Sequence, residues 1–257
     1  MRVVGLHRDV LVATSRVWQT TCTIVRSGEE GFVVDSPVFP DELEILPAVL
    51  ERAEFPFTGL LATHGDWDHL LGRLAFPTAS LGVAETTAAR LTAEPGAAAR
   101  ALRAFDDEHY LDRSAPLSLG QVQALPVPGH VGIGEQEVEL HPADGHTADG
   151  MAIWIGWARV LVAGDYVSPV EVPMISAGGS RDNYLATLRR LEPLVADAAY
   201  VVPGHGDVLE GARAAAILRE DVNYLAKLPD AELPLARRSP AQRAIHAENV
   251  KRTGGRP

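Results

Sequence analysis

The segment THGDWDHLLG, at residues 63–72, places four metal-binding side chains within six positions: His64, Asp66, Asp68 and His69. Imidazole nitrogens and carboxylate oxygens are both good ligands for divalent metal ions. On an extended loop, residues 64, 66 and 68 project to similar sides, while His69 projects to the opposite side. This one short segment is therefore predicted to supply ligands to two metal ions.

Three further segments each place one metal-binding side chain at the end of a predicted strand: His146 in DGHTADG, Asp165 in LVAGD and His205 in VVPGHGD. Neighbouring glycines allow the backbone to approach an ion closely. The sequence has no Gly-x-Ser-x-Gly motif and signals no Cys–His pair. The sequence therefore carries no signal of a serine or cysteine nucleophile.

The order and spacing of these four segments resemble the metallo-β-lactamase superfamily over about residues 10–225. The family pattern is His-x-His-x-Asp-His, followed by a lone His, a bridging Asp and a final His. The resemblance implies two ligand sets and one bridge: His64, Asp66 and His146 for one ion, Asp68, His69 and His205 for the other, and Asp165 with a hydroxide between them. It also implies an α+β fold, the four-layer αβ/βα sandwich, with the site at one edge of its two sheets.

The second motif residue departs from the family pattern, because the chain has Asp66 where the family usually has His. A carboxylate here resembles the iron-binding flavodiiron branch, which carries Glu. Three aspartates and one hydroxide neutralise two divalent ions, whereas two aspartates leave one positive charge. Such a neutral site is a weaker Lewis acid, and carboxylate oxygen suits manganese or iron better than imidazole does. We therefore expect two divalent ions, with iron or manganese accepted as readily as zinc, the most common metal of the family.

The resemblance implies a metallo-hydrolase that activates water against a small ester, thioester, lactone or amide. Asp68 is the expected catalytic residue, which orients the nucleophile. An iron-dependent oxidoreductase on the same fold is the alternative, although the flavodiiron kind needs a flavodoxin-like domain that does not fit in 257 residues. The formal net charge of −11 opposes a nucleic-acid partner. We expect a small-molecule substrate, and the sequence leaves the oligomeric state open.

Three residues beside the motifs are candidates for contacts with the substrate or with the metal ligands. His141 lies on the strand that precedes the DGHTADG turn, Tyr166 follows the bridging position, and Trp67 lies inside the first motif. Each has ordinary packing as its alternative. His130 and His109 are predicted to be a loop residue and a solvent-facing helical residue, respectively.

Hydrophobic periodicity indicates one domain, at residues 1–228. Short strands open the chain, a helix is predicted over about residues 40–54, and the apolar strand LLAT leads into the first motif. A helical insertion at about 84–112 precedes a run of antiparallel strands, and helices are predicted over about 181–195 and 212–228. The tail at 229–257 has little core-forming pattern, so we expect it to be partly disordered. Its Arg237, Arg238 and Arg243 are candidates for binding an anionic substrate.

The composition, with 46% hydrophobic residues, is typical of one large α/β domain. The longest apolar runs are far shorter than the roughly 20 residues of a membrane-spanning helix. Charged residues interrupt the N-terminus before a signal peptide could form, so no membrane association and a cytoplasmic location are expected. The single cysteine, Cys22, excludes an intrachain disulfide. Its strand-like surroundings, TTCTIV, predict buried packing.

Overall fold

The computed structural model describes residues 1–254 and contains two β-sheets that pack face to face. The first sheet has seven strands, in chain order: β1 (Arg2–His7), β2 (Val10–Thr14), β3 (Thr21–Ser27), β4 (Glu30–Asp35), β5 (Gly59–Leu61), β6 (Leu81–Ala84) and β7 (Val122–Leu125). The pairs from β1 to β4 are antiparallel. Those from β4 to β7 are parallel.

The second sheet has six strands, which follow in the chain: β8 (Gly129–Ile133), β9 (Gln136–Pro142), β10 (Met151–Ile155), β11 (Val160–Gly164), β12 (Tyr200–Pro203) and β13 (Leu209–Glu210). They lie in the order β13-β12-β11-β10-β9-β8. Only the β11–β12 pair in this sheet, as described for residues 1–254, is parallel. The carboxyl ends of these two strands therefore meet at the same sheet edge.

The helices cover the outer faces of the sheets: α1 (Pro40–Arg52), α2 (Gly72–Ala75), α3 (Glu85–Ala93), α4 (Ala97–His109), α5 (Arg181–Asp197), α6 (Gly211–Lys227) and α7 (Pro240–Arg252). Leu46 of α1 packs with Val33 of the first sheet, and Leu188 of α5 packs with Val201 of the second. Valines and isoleucines from both sheets fill the space between them. The predicted four-layer αβ/βα sandwich is confirmed.

The first helix shows why these boundaries could be predicted. It begins at Pro40, whose fixed φ and missing N–H suit the first helical position. Glu42 accepts a hydrogen bond from the backbone N–H of Phe39 at 3.3 Å, which satisfies a group that the helix leaves free. The apolar stripe at Leu43, Leu46 and Leu50 is buried. Helices α5 and α6 likewise fall within two residues of the sequence prediction at each end.

The segment after residue 228 differs from its sequence prediction, because it contains helix α7. Ile245 and Val250 pack against the core, and Gln242 and Asn249 are buried. Those two polar side chains bond to the backbone of residues 172–175. Polar contacts of this kind leave no apolar periodicity, which is why the sequence pattern missed the helix. The last three residues of the predicted tail, 255–257, lie outside the described residues.

Two helices, α3 and α4, occupy the segment predicted to be a helical insertion, between β6 and β7. Leu102 and Phe105 of α4 are buried, and α4 contacts the first motif. No helix of residues 1–254 combines the length and the apolarity that crossing a membrane requires.

Candidate metal centre

Strand ends bring the predicted metal ligands to one edge of the sandwich. His64 follows β5, Asp165 follows β11 and His205 follows β12, so the parallel pair β11–β12 delivers two of them side by side. Gly204, between the end of β12 and His205, has to be a glycine because Asp165 lies against it. A Cβ atom there would lie 2.0 Å from Asp165 Oδ1, a distance that no side chain tolerates.

The first motif is not the extended loop that its sequence predicted. Residues Trp67–His69 form a 3₁₀ turn that begins directly after Asp66. The turn rotates Asp68 away from the side on which His64 and Asp66 lie, since the alternation of an extended chain ends there. Asp68 therefore faces the same side as His69.

Six of the seven predicted ligands form two clusters of three. In the first, Asp66 Oδ2 lies 3.6 Å from His64 Nε2 and 3.4 Å from His146 Nε2. In the second, Asp68 Oδ2 lies 3.7 Å from His69 Nε2 and 3.4 Å from His205 Nε2. In each cluster the potential ligand atoms lie within 4.8 Å of one another, so each could hold a metal ion.

Asp165 lies between the clusters and directs one carboxylate oxygen to each. Its Oδ2 is 3.7 Å from His64 Nε2 and 3.2 Å from His146 Nε2. Its Oδ1 is 3.3 Å from His69 Nε2 and 3.5 Å from His205 Nε2. A carboxylate in this position can share its two oxygens between two cations.

The outward ring nitrogen, Nδ1, has a hydrogen-bond partner in three of the four histidines. The partners are Thr63 Oγ1 at 3.1 Å for His64, the carbonyl of Met174 at 2.8 Å for His146, and Thr20 Oγ1 and the carbonyl of Trp18, both at 3.3 Å, for His205. Nδ1 of His69 is buried without a hydrogen bond and lies 3.0 Å from Asp35 Oδ2. Partners of this kind fix the ring orientation of metal-binding histidines. They leave Nε2 of each ring to face the centre.

The inward atoms fit a metal ion. Nε2 of His64, His69 and His146 and Oδ1 of Asp165 are buried without a hydrogen-bond partner, although buried polar atoms are normally bonded. A tetrahedral ion with metal–ligand distances of roughly 2.1 Å separates its ligand atoms by about 3.4 Å. The separations described above, 3.2 to 3.7 Å, match that spacing. The residues present therefore fit divalent metal ions.

Charge interactions within the centre support the same interpretation. Burial alone would lower the pKa of His205, yet Asp165 and its other acidic neighbours raise it to about 9. The pKa of His69 is likewise raised well above its usual range, because nearby carboxylates outweigh burial. Interactions with His146 and His64 outweigh burial in Asp66 and hold its pKa well below its usual range. In the metal-free protein, protons on His69, His146 and His205 balance the charge of nearby carboxylates, and metal cations can replace those protons.

A family model described as the metallo-beta-lactamase superfamily matches residues 15–205. The chain belongs to the metallo-β-lactamase superfamily. The matched range contains all seven residues of the two clusters and the bridge. A search of curated proteins gives no match.

Solved structures agree with this superfamily fold at low sequence identity. A metallo-beta-lactamase from Pontibacter korlensis is 19% identical, with a TM-score of 0.66 over 88% of this chain and 98% of that one. A metallo-beta-lactamase family protein from Thermus thermophilus is 19% identical, with a TM-score of 0.68 over 87% and 82% of the two chains. The DIM-1 metallo-beta-lactamase, in a structure exposed to ceftazidime, is 18% identical, with a TM-score of 0.63 over 88% and 96%. At these identities the similarity establishes the fold.

One feature of this superfamily member that sequence analysis missed is Arg90, on helix α3. Its guanidinium donates to Asp66 Oδ1 at 2.8 Å and to Asp149 Oδ1 at 2.9 Å. Asp149 also accepts hydrogen bonds from the N–H of Gly65 and the hydroxyl of Thr87. The sequence count of charges is unchanged by this pair, because the positive charge of Arg90 is balanced by the negative charge of Asp149. The sequence predicted the helical insertion that contains Arg90, but it did not show that the Arg90 side chain reaches Asp66.

Asp35 is a second missed residue of this metallo-β-lactamase domain. Its carboxylate accepts hydrogen bonds from the N–H and the hydroxyl of Thr63, at 2.8 and 2.9 Å, and it lies beside His69 Nδ1. It is buried at the end of β4. An aspartate that ends an apolar strand, as in GFVVD, is the same signal that identified Asp165, so the sequence offered a way to find it.

The three remaining candidates, Tyr166, Trp67 and His141, have different neighbours. Tyr166 is buried, and its hydroxyl accepts a hydrogen bond from the N–H of His146 at 3.1 Å. Trp67 packs in an aromatic cluster with Trp18 and Phe105, with ring centroids 5.0 to 5.6 Å apart. His141 lies on β9, where its nearest charged neighbour is Glu139 at 3.3 Å.

His130 and His109 lie outside both clusters. His130 is on β8, 4.0 Å from Glu137, and it is in a strand rather than the predicted loop. His109 ends helix α4 and stacks on Phe105 at 4.2 Å, so its ring packs on an aromatic side chain.

Arg237, in the C-terminal segment, is not available to a substrate. Arg237 is buried, and its guanidinium lies 2.6 Å from both Asp221 and Glu220. It also donates to the carbonyls of Ser168 and Glu171. Because these contacts occupy the guanidinium, the prediction that Arg237 binds an anionic substrate is wrong.

Proposed function

We propose that this superfamily member is a hydrolase that uses two divalent metal ions to activate water against a small ester, thioester, lactone or amide. The single observation that supports two ions is the position of Asp165. Its Oδ2 faces His64 and His146 while its Oδ1 faces His69 and His205, at 3.2 to 3.7 Å. One ion would leave one of these histidine pairs without a cation.

When bound, such a pair of ions lowers the pKa of water and polarises a substrate carbonyl. The residues of the chain have separate tasks. Asp68 directs Oδ2 toward His69 and His205, and in this proposal its other oxygen orients the attacking water. Hydrogen bonds at Nδ1 hold three of the four imidazoles in place, and His69 is buried beside Asp35, so the ligand set is ordered before substrate arrives.

An aromatic cluster gives the proposed site its apolar side. Trp18 is 47% exposed and packs edge-on against Trp67, a member of the first motif. The carbonyl of Trp18 is 3.3 Å from His205 Nδ1, which places its backbone beside the metal ligands. Apolar surface of this kind binds the hydrocarbon part of a small substrate and excludes bulk water.

We further propose that the centre accepts iron or manganese as readily as zinc. Each cluster combines two imidazoles with one carboxylate, Asp165 adds a carboxylate oxygen to each, and carboxylate oxygens suit these harder ions. The charges of Arg90 and Asp149 cancel, so the carboxylate of Asp66 still counts toward a neutral site, and ligand type supports the same expectation. Elemental analysis after expression without added metal tests it, and zinc alone at two ions per chain would contradict it.

The hydrolase proposal is tested with chromogenic esters, thioesters, lactones, amides including a cephalosporin, and phosphodiesters. Each is offered to the zinc, manganese and iron forms of the full chain. Turnover of at least one carbonyl substrate is expected, and His146→Ala and Asp165→Ala should lose metal and activity together. Oxygen consumption by the iron form, with no hydrolysis of any substrate, would instead favour an iron-dependent oxidoreductase. Retention of two ions by either variant would refute the ligand assignment.

A further inference from the structure

Glu171 adds one carboxylate to the metal centre that the family pattern does not include. A carboxylate oxygen of Glu171, an oxygen of Asp165 and a ring nitrogen of His205 lie within 4.8 Å of one another. Asp165 Oδ1 and His205 Nε2 both belong to the side of the centre that contains Asp68 and His69. Glu171 therefore approaches the second cluster and not the first.

Both backbone polar groups of Glu171, its N–H and its carbonyl, are hydrogen-bonded. Its N–H donates to Ser168 Oγ at 3.0 Å, and its carbonyl accepts from Arg237 Nη1 at 2.6 Å. Ser168 Oγ in turn donates to the carbonyl of His205 at 2.7 Å. The loop that carries Glu171 is thus tied to a metal ligand on one side and to a buried arginine on the other.

The carboxylate of Glu171 is left without a partner of its own. Within residues 1–254 no group donates a hydrogen bond to it, although it is partly buried. Asp66 provides the contrast, because Arg90 holds one of its oxygens. Next to Glu171, Oδ1 of Asp165 is buried and also has no hydrogen-bond partner. Two neighbouring carboxylates without donors repel each other unless a cation lies between them.

We propose that Glu171 is an additional ligand of the ion held by Asp68, His69 and His205. This inference rests on the two-ion centre proposed above. With Asp165, the second ion then has two imidazoles and three carboxylates, and that set exceeds the four ligands typical of zinc. It suits ions that take five or six oxygen-rich ligands, such as manganese or iron. The second position is therefore the one that selects for the harder metal.

The test compares the full chain with Glu171→Gln, which keeps the shape but removes the charge. Glu137→Gln is the matched control, because Glu137 is an exposed strand residue whose nearest histidine is His130. Each protein is titrated with manganese and with cobalt against a competing chelator, and the cobalt forms are compared by electronic absorption. Circular dichroism and thermal unfolding verify that the variants are folded.

Wild type and Glu137→Gln should bind two ions per chain. Glu171→Gln should lose roughly 10- to 100-fold in affinity for one ion only, with a changed cobalt spectrum. Unchanged affinity, or weaker affinity with an unchanged spectrum, would overturn direct ligation. A wild type that binds two ions but hydrolyses nothing overturns the hydrolase and leaves the ligand result standing. A wild type that binds no ion overturns both.

Discussion

The guanidinium of Arg90 donates to Asp66 Oδ1 at 2.8 Å, while Asp66 Oδ2 faces His64 and His146. The carboxylate in place of the usual family histidine thus has a cation behind it. Arg90 also bonds to Asp149, which accepts from the N–H of Gly65 in the first motif. Asp66 and Arg90 form a pair, through which helix α3 holds the carboxylate of the first cluster in place.

We predict that Arg90→Ala weakens the binding of one metal ion by roughly 10- to 100-fold. Without the guanidinium, Asp66 loses the partner that directs Oδ2 inward, and Asp149 loses a charged hydrogen bond. Arg90→Lys should recover little, because an ammonium cannot bond both carboxylates in the same fork geometry. Metal affinity measured by chelator competition shows the effect.

Arg103→Ala is the control for this variant, since Arg103 is exposed on helix α4. It should leave metal affinity unchanged. If Arg90→Ala binds both ions like the wild type and is equally stable, the pairing with Asp66 has no role in orienting the ligand.

A second prediction concerns Asn249, on the helix that the sequence pattern missed. Its side chain accepts from the N–H of Ile175 at 2.9 Å and donates to the carbonyl of Pro173 at 2.6 Å. Between them, the carbonyl of Met174 lies 2.8 Å from His146 Nδ1. Asn249→Ala leaves two buried backbone groups unbonded, so we expect a loss of roughly 2–4 kcal/mol in the free energy of unfolding. Urea denaturation measures it.

The same variant should also bind metal more weakly, because the carbonyl that orients His146 is no longer held in place. Asn223→Ala, at an exposed position of helix α6, is the matched control and should change neither quantity. Equal destabilisation by both substitutions would show that the contacts to residues 173–175 contribute nothing specific.

The metal-free protein should lose stability as the pH rises. The pKa of His205 is about 9, against an ordinary value of 6.5, because Asp165 and its other acidic neighbours outweigh burial. A pKa raised by folding gives stability that is fully present below pH 6.5 and lost as the pH passes through 9. Urea denaturation with a chelator present, at a series of pH values across this window, measures the loss.

Metal-loaded protein is the comparison for that experiment, because a bound cation replaces the proton on His205. Its stability should fall less across the same window. If the metal-free protein is equally stable at both ends of the window, the imidazole is not protonated in the folded state.

Cys22 should be unreactive in the native protein. It is fully buried on β3, as its strand-like surroundings predicted. Burial, with a smaller effect of Asp35, raises the pKa of its thiol well above the usual range, so little reactive thiolate exists near neutral pH. We expect a disulfide-exchange reagent to modify it at least roughly a thousandfold more slowly than in urea. Rapid labelling without denaturant would show that β3 opens locally.

The sequence alone identified the candidate metal-binding residues and the apolar strands that lead to them. Apolar strands that end in a ligand, such as LLAT before His64 and LVAG before Asp165, are local patterns of a few residues. The signals that predict helix α1 are equally local, because Pro40 and the apolar stripe of the helix lie within one element. The order and spacing of the motifs then indicated the metallo-β-lactamase superfamily, and that resemblance implied the αβ/βα sandwich fold.

Only the tertiary structure decided which candidate ligands lie together and what holds them in place. A 3₁₀ turn, and not the alternation of a strand, places Asp68 with His69. Arg90, Glu171 and Asn249 act across loops and helices far apart in the chain. A side chain's reach toward a distant group depends on how whole elements pack, and no local pattern of residues records that packing.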